Sequence, residues 1–213
     1  MKFIFALLSM MMFFNVSMAG VIDKKPLVAF LDNLSQEYKK VENFSATMRL
    51  ENFDPTYQLQ KQKVWFKKPG YILLKQLGPF KEGAALSVKP NGEIEGHLGG
   101  FLSFAVVSVD KDDKNMYGVT GDTALNTDYD KIIRIAQSMI EDVIDYSISK
   151  NEKNQLVLDS KYQNKIDQYK LIVDPENMLI VGLERYSKNK LIHKIQWFDI
   201  AINKAISNEI FDL

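Results

Sequence analysis

Two periodicities alternate along the chain. Leu27, Leu31, Leu34, Tyr38 and Val41 recur at helical spacing and put one apolar stripe on a helix over residues 24–43. Pro26 suits the first turn of that helix, and lysines gather near its end, where the helix dipole favours positive charge. From Phe44 the period becomes two. Phe44, Ala46, Met48 and Leu50 alternate with Ser45, Thr47, Arg49 and Glu51, the pattern of a half-buried strand. Further strands are predicted over Tyr57–Phe66 and Tyr71–Leu77, the first closed by Lys68-Pro69-Gly70 and the second broken by Gly78-Pro79. Ala84–Lys89 and Glu93–Leu98 flank Pro90-Asn91-Gly92, a strong hairpin signal. The apolar run Phe101–Val109 reads as one more strand.

After an irregular polar stretch, a second helix is predicted over Tyr129–Ile144, with Thr127 or Asp128 as its N-cap. Tyr129, Ile132, Ile133, Ala136, Met139, Ile140 and Val143 give it a wide apolar face. Period two then resumes in Leu156–Tyr162, Tyr169–Val173, Leu179–Tyr186 and Leu191–Ile202, and a short run, Glu209–Leu213, follows. Short connections force antiparallel neighbours. The fold class is therefore α+β and mainly β: an antiparallel meander of about ten or eleven strands, long enough to curl. One helix precedes it and one interrupts it. The concave side of the curl is the natural partner for both apolar helix faces, and it encloses either a filled core or an apolar cavity.

The N-terminus reads as an address. Lys2 precedes the apolar run Phe3–Phe14, and Ser17 and Ala19 occupy the small-residue positions of a cleavage site. The run is shorter than the ~20 residues of a membrane span. Residues 1–19 are thus expected to be a cleaved signal peptide, and 20–213 a single exported domain.

Composition narrows the chemistry. Lysine plus arginine number 27 and aspartate plus glutamate 27, which lacks the basic excess of a nucleic-acid binder. With no cysteine and two histidines, thiol chemistry is absent and a transition-metal site has few ligands. His97 and His193 have no second histidine nearby in sequence. Asp110, Asp112 and Asp113 lack the glycine and glutamate of a calcium loop. Asp122, Asp128 and Asp130 read as turn and cap residues. No nucleophile, phosphate-loop or zinc motif is present, so the chain is expected to be no enzyme, with no cofactor and no metal. What stands out is apolar surplus. Trp65, Phe66, Leu73 and Leu74 on neighbouring strands, and the run around Trp197, are apolar on both faces, unlike a sheet with one face in water.

Three segments then carry a resemblance: "NFSATMRLENF", "KVWFKKPGYILLK", and the closing strands from Tyr169 to Phe211. Their order is similar to that of the LolA/LolB superfamily, periplasmic carriers of outer-membrane lipoproteins. Trp65-Phe66-Lys67-Lys68-Pro69 resembles that family's W-x-K-R-P strand end. The middle section, "GPFKEGAALSVKPNGEIEGHLGGFLSF", looks more like a LolA-related exported family without an established function. The resemblance implies an unclosed antiparallel β-barrel whose helices cover the concave face as a lid. It implies a monomeric, periplasmic, non-enzymatic carrier of lipid or lipoprotein acyl chains, with proteins of the inner or outer membrane as further partners. The apolar site would comprise Met48, Leu50, Trp65, Phe66, Leu73, Ile132, Ala136, Met139 and Trp197. The family's strand-end arginine, which bears on ligand release, is matched by Lys68, which lacks the planar guanidinium fork; this favours lipid binding in general over strict lipoprotein transfer. Two alternatives stand beside the carrier: an envelope sensor or regulatory module of the same fold, and a structural barrel with a filled core.

Overall fold

The computed structural model describes residues 22–163 and 168–213; the expected signal peptide lies outside them. Helix α1 spans Lys25–Tyr38 with Pro26 in its first turn, and buries Leu27, Leu31, Leu34 and Tyr38. It is shorter than the sequence suggests, and its last turn carries no basic residue, because Lys39 and Lys40 follow its end. Strands β1 (Asn43–Asn52), β2 (Gln58–Lys67), β3 (Tyr71–Pro79), β4 (Ala85–Val88), β5 (Ile94–His97) and β6 (Val107–Ser108) follow. Next come helix α2 (Tyr129–Ser138) and strands β7 (Val143–Lys150), β8 (Leu156–Tyr162), β9 (Gln168–Asp174), β10 (Leu179–Ser187) and β11 (Lys190–Ile202). A 3-10 turn, Asn208–Phe211, ends the chain.

Eleven strands form one antiparallel sheet in the order β6-β5-β4-β3-β2-β1-β11-β10-β9-β8-β7. Every ladder joins sequence neighbours except that of β1 with β11, which sets Met48 opposite Trp197 and Leu50 opposite Ile195. β6 and β7 are the two edges, so the sheet does not close and the fold is an unclosed barrel with helices. Both helices lie on one face, where Phe44, Ala46, Met48 and Leu50 of β1 meet Val64 and Phe66 of β2 and Leu31 and Leu34 of α1 in one apolar core. Phe44 stacks on Tyr129 with ring centroids 4.7 Å apart, and Tyr129 lies 5.8 Å from Trp197. Among the described residues no helix is long and apolar enough to cross a membrane.

Three local expectations need correction. Phe101–Val109 is not a strand. It forms a 3-10 turn, Gly100–Leu102, and an exposed loop before the two-residue β6, with Phe101 88% and Phe104 75% exposed. Apolar content without alternation does not imply burial here. The second helix stops at Ser138, and Val143 opens strand β7, of which only Val143 and Ile144 fall in the predicted helix and the rest in no predicted element. Ile140 and Val143 continue the i, i+3 spacing by coincidence, across a 3-10 turn over Ile140–Asp142. Gly78-Pro79 does not break β3 but ends it, within the ladder opposite Lys61 and Gln60.

Candidate functional site: a cavity beneath a strap and a helix

Alternation decides which side chains meet the helices. In β2, Val64 and Phe66 point to the covered face, so Trp65 between them points outward. Its register partner is Leu73 of β3. Leu73 is 0% exposed yet sits outside the main core. It belongs to a second, outer cluster closed by the C-terminal 3-10 turn. Ser87, the register partner of Leu73 on β4, donates its hydroxyl to the carbonyl of Phe211, and Phe211 packs on Tyr71 with centroids 5.1 Å apart. Lys67 Nζ ties the same turn down at the Ile206 carbonyl, 2.8 Å, and Asn208 Oδ1, 2.7 Å. The double apolarity of β3 thus arises from two separate clusters on its two faces.

On the covered face a cavity of about 130 Å³ lies between the sheet and the segment from Asn115 to Met139. Met48, Leu50 and Trp197 line it from the sheet, Ile132 and Ala136 from α2, and Met139 from the C-cap of α2. These six expected site residues therefore meet in one place. Phe66 faces the same side but packs into the aromatic cluster, 5.4 Å from Phe44. Trp65 and Leu73 are on the opposite face, Trp65 with Lys75 Nζ 5.8 Å from its ring. Lys68 sits at the far end of β2, where Nζ donates to the Lys39 carbonyl at 2.7 Å and pairs with Glu42 at 3.3 Å. It thereby anchors the C-terminal end of α1 to the sheet.

The roof has two parts. Residues 117–123 form a strap, closed on itself by the bridge between Tyr117 and Thr123 and by Gly118 N–H donating to the Asp122 carbonyl. The strap is pinned at both ends. Val119 N–H donates to Gln60 Oε1 on β2 at 3.0 Å, and Asp122 Oδ1 pairs with Arg185 Nη2 on β10 at 2.6 Å. Gly118 passes so close that a Cβ there would lie 2.7 Å from Gln60 Oε1, so a side chain at this position would push the Gln60 amide aside. Gln60, Gln62 and Gln76 hydrogen-bond among themselves beneath it.

The second part of the roof is α2. Asp128 caps it by accepting from Asp130 N–H, and also accepts from the Tyr38 hydroxyl at 2.6 Å. Burial, with the Asp128 carboxylate beside it, pushes the Tyr38 phenol far above its ordinary pKa, so it remains a donor. Gln137 Nε2 to Asp32 Oδ1, 3.0 Å, makes a second link from α2 to α1. Of the α2 face only Tyr129 and Ile133 are fully buried. Ile132, Ala136 and Met139 are half-buried over the cavity and Ile135 is 45% exposed.

Motif and spacing alone single out neither Arg185 nor the glutamines, and Asp122 reads as a turn residue. A signal existed. Gln60 and Gln62 share the inward phase of Val64, and Arg185 that of Leu183, so polar groups fall on buried positions. Arg185 is also one of three arginines among 27 basic residues. His97 is on an exposed hairpin, its Nδ1 3.1 Å from the Leu98 carbonyl oxygen. Asp110 and Asp113 accept backbone N–H bonds in turns. Among the described residues no three metal-ligating side chains gather.

No protein-family model matches the sequence, and no curated protein matches it. Solved structures do resemble the fold. An uncharacterized conserved protein from Thermus thermophilus is 10% identical over 89% of this chain and 94% of its own, with a TM-score of 0.55. A LolA superfamily protein from Nitrosomonas europaea is 11% identical over 87% of this chain and 97% of its own, TM-score 0.43. An outer membrane lipoprotein-sorting protein domain from Vibrio parahaemolyticus is 10% identical over 87% and 95%, TM-score 0.46. These likenesses concern overall architecture alone.

Proposed function

We propose that this chain is an exported, non-catalytic binding or carrier protein for acyl chains of lipids or lipoproteins, acting in the periplasm. The observation that carries the reading is the mainly apolar cavity under a roof whose helix is half-buried at Ile132, Ala136 and Met139 and exposed at Ile135. The LolA/LolB resemblance in the sequence agrees with it. Each methylene removed from water is worth about 0.8 kcal/mol, so a 16-carbon chain represents on the order of 12 kcal/mol. A carrier must supply matching apolar area and later release it. At about 130 Å³ the cavity compares with a ~150 Å³ engineered cavity that takes benzene, and a 16-carbon chain needs several times that. Loading therefore requires the roof to move. Helix α2 is suited to do so, since its closest backbone packing is against α1.

Tryptophan fluorescence tests this directly. Trp197 lines the cavity and Trp65 faces outward. Adding hexadecanoyl lipids to delipidated protein should shift emission to the blue, a response kept in Trp65→Phe and lost in Trp197→Phe. A flat titration with lipids of several lengths and head groups, on folded protein, overturns the reading in favour of a filled structural barrel. Export predicts a mature N-terminus within two residues of Gly20, read by N-terminal sequencing of periplasmic protein; an intact Met1 in the membrane fraction contradicts it.

A further inference from the structure

The cavity lining is interrupted by three charged side chains, Lys81, Asp122 and Arg185. Arg185 stands in a row that crosses four strands on the covered face. His193 of β11 is its register partner on one side and Tyr169 of β9 on the other, and Ser160 of β8 is the partner of Tyr169. The β10–β11 register shifts at Arg185/Tyr186, a bulge of the kind that re-aims side chains. The Arg185 guanidinium lies 5.7 Å from the Tyr169 ring centroid and gives Nη2 to Asp122. Its Nε is buried with no hydrogen-bond partner, as is Nδ1 of the adjacent His193. A guanidinium offers Nε and Nη2 as a planar fork that fits one carboxylate through both donors. Asp122, held by the strap, occupies only one prong. The other is a desolvated donor, which is costly to leave unmade.

We propose that Arg185 is the head-group site of the cavity, binding the carboxylate of an acyl ligand through Nε and Nη2 in place of Asp122. This rests on the carrier reading and names its ligand class: a single-chain carboxylic acid, tail among Leu171, Leu183 and Ile195 and head at the strap. The exchange conserves charge, one carboxylate replacing another. On leaving, Asp122 keeps the Thr120 hydroxyl at 2.8 Å and, at 21% exposure, is already in contact with solvent. The strap then keeps only the Gln60–Val119 pin, so arrival of the head group frees the segment that leads into α2. Capture of the ligand and loosening of the roof become one event.

The test compares hexadecanoic acid with its methyl ester by calorimetry and Trp197 emission on delipidated protein. Wild type should bind the acid about tenfold or more tightly than the ester, the scale of one charge-assisted hydrogen bond. In Asp122→Asn/Arg185→Met, which leaves no unpaired buried charge, the two ligands should fall within about twofold of each other. Asp122→Asn alone should tighten the acid and leave the ester unchanged, since the competing carboxylate is gone. Arg185→Lys, which keeps the charge without the fork, should lose most of the preference and serves if the double variant does not fold. An acid-to-ester ratio that survives in these folded variants overturns the head-group site while acyl binding stands. If neither ligand binds wild type, the carrier reading falls, and the head-group site with it.

Discussion

On the outer face of β3 and β4, Leu73 and Ser87 close against Phe211 and all three are 0% exposed. On the covered face of the same sheet, Met48, Leu50 and Trp197 are equally well hidden from solvent yet border empty space. The outer cluster is sealed by a turn of four residues tied to Lys67 and Ser87. The inner one is roofed by a strap with two pins and a helix with two side-chain links to α1. Burial alone does not separate a core from a binding site; what distinguishes them is the number and strength of the contacts holding the cover in place, and whether polar atoms are left over beneath it.

That contrast can be broken experimentally. Phe211→Ala should cost about 3–5 kcal/mol in urea unfolding, the usual range for a fully buried phenylalanine, and leave ligand titrations unchanged. Along α2 and its C-cap the two kinds of position should separate. Ile133→Ala, in the core, should cost about 2–4 kcal/mol, whereas Met139→Ala, beside the cavity, should cost about 1 kcal/mol. Met139→Asp should abolish the lipid response of Trp197 while the protein still melts cooperatively, and Ile133→Asp should not fold, because its charge has no partner. Tyr38→Phe removes a hydrogen bond to a carboxylate and should cost about 1–2 kcal/mol. Because it loosens α2 from α1, it should also speed lipid uptake in stopped-flow fluorescence; unchanged uptake would show that this link does not hold the roof.

The smallest effect is a pH dependence. Burial, and then the Arg185 charge, hold the His193 pKa below its ordinary value of 6.5. The unfolded chain therefore binds the proton first as pH falls, so stability should decline through and below pH 6.5 and be regained above it. Urea midpoints between pH 8 and 5 should show a shallower decline in His193→Gln than in wild type.

The strands and α1 were legible because their burial is periodic and one-sided: Phe44, Ala46, Met48 and Leu50 cannot alternate by chance against four polar neighbours. Six of the expected cavity residues were legible for the same reason. Trp65 and Leu73, expected in the cavity, lie on the outer face, since a strand apolar on both faces does not announce which face meets the helices, and the outer cover comes from Phe211, far along the chain. Strand β7 was hidden because Val143 lies at a helical spacing from Ile140. Arg185 and Asp122 were not paired because register between β10 and a loop 63 residues away is a product of the folded sheet and has no local signature.

The strand order has a consequence for how the chain can be cut. The sheet consists of two local meanders, β1–β6 and β7–β11, joined along a single seam between β1 and β11. A break at the exposed Lys111-Asp112 step leaves every ladder either inside one fragment or on that seam. Fragments 22–111 and 112–213 thus hold between them all the pairing information of the sheet. They are expected to find each other through the β1–β11 edge when mixed, and the strap and α2 then hang from the C-terminal piece by one covalent end instead of two. Fragment complementation would yield the same barrel with an untethered roof.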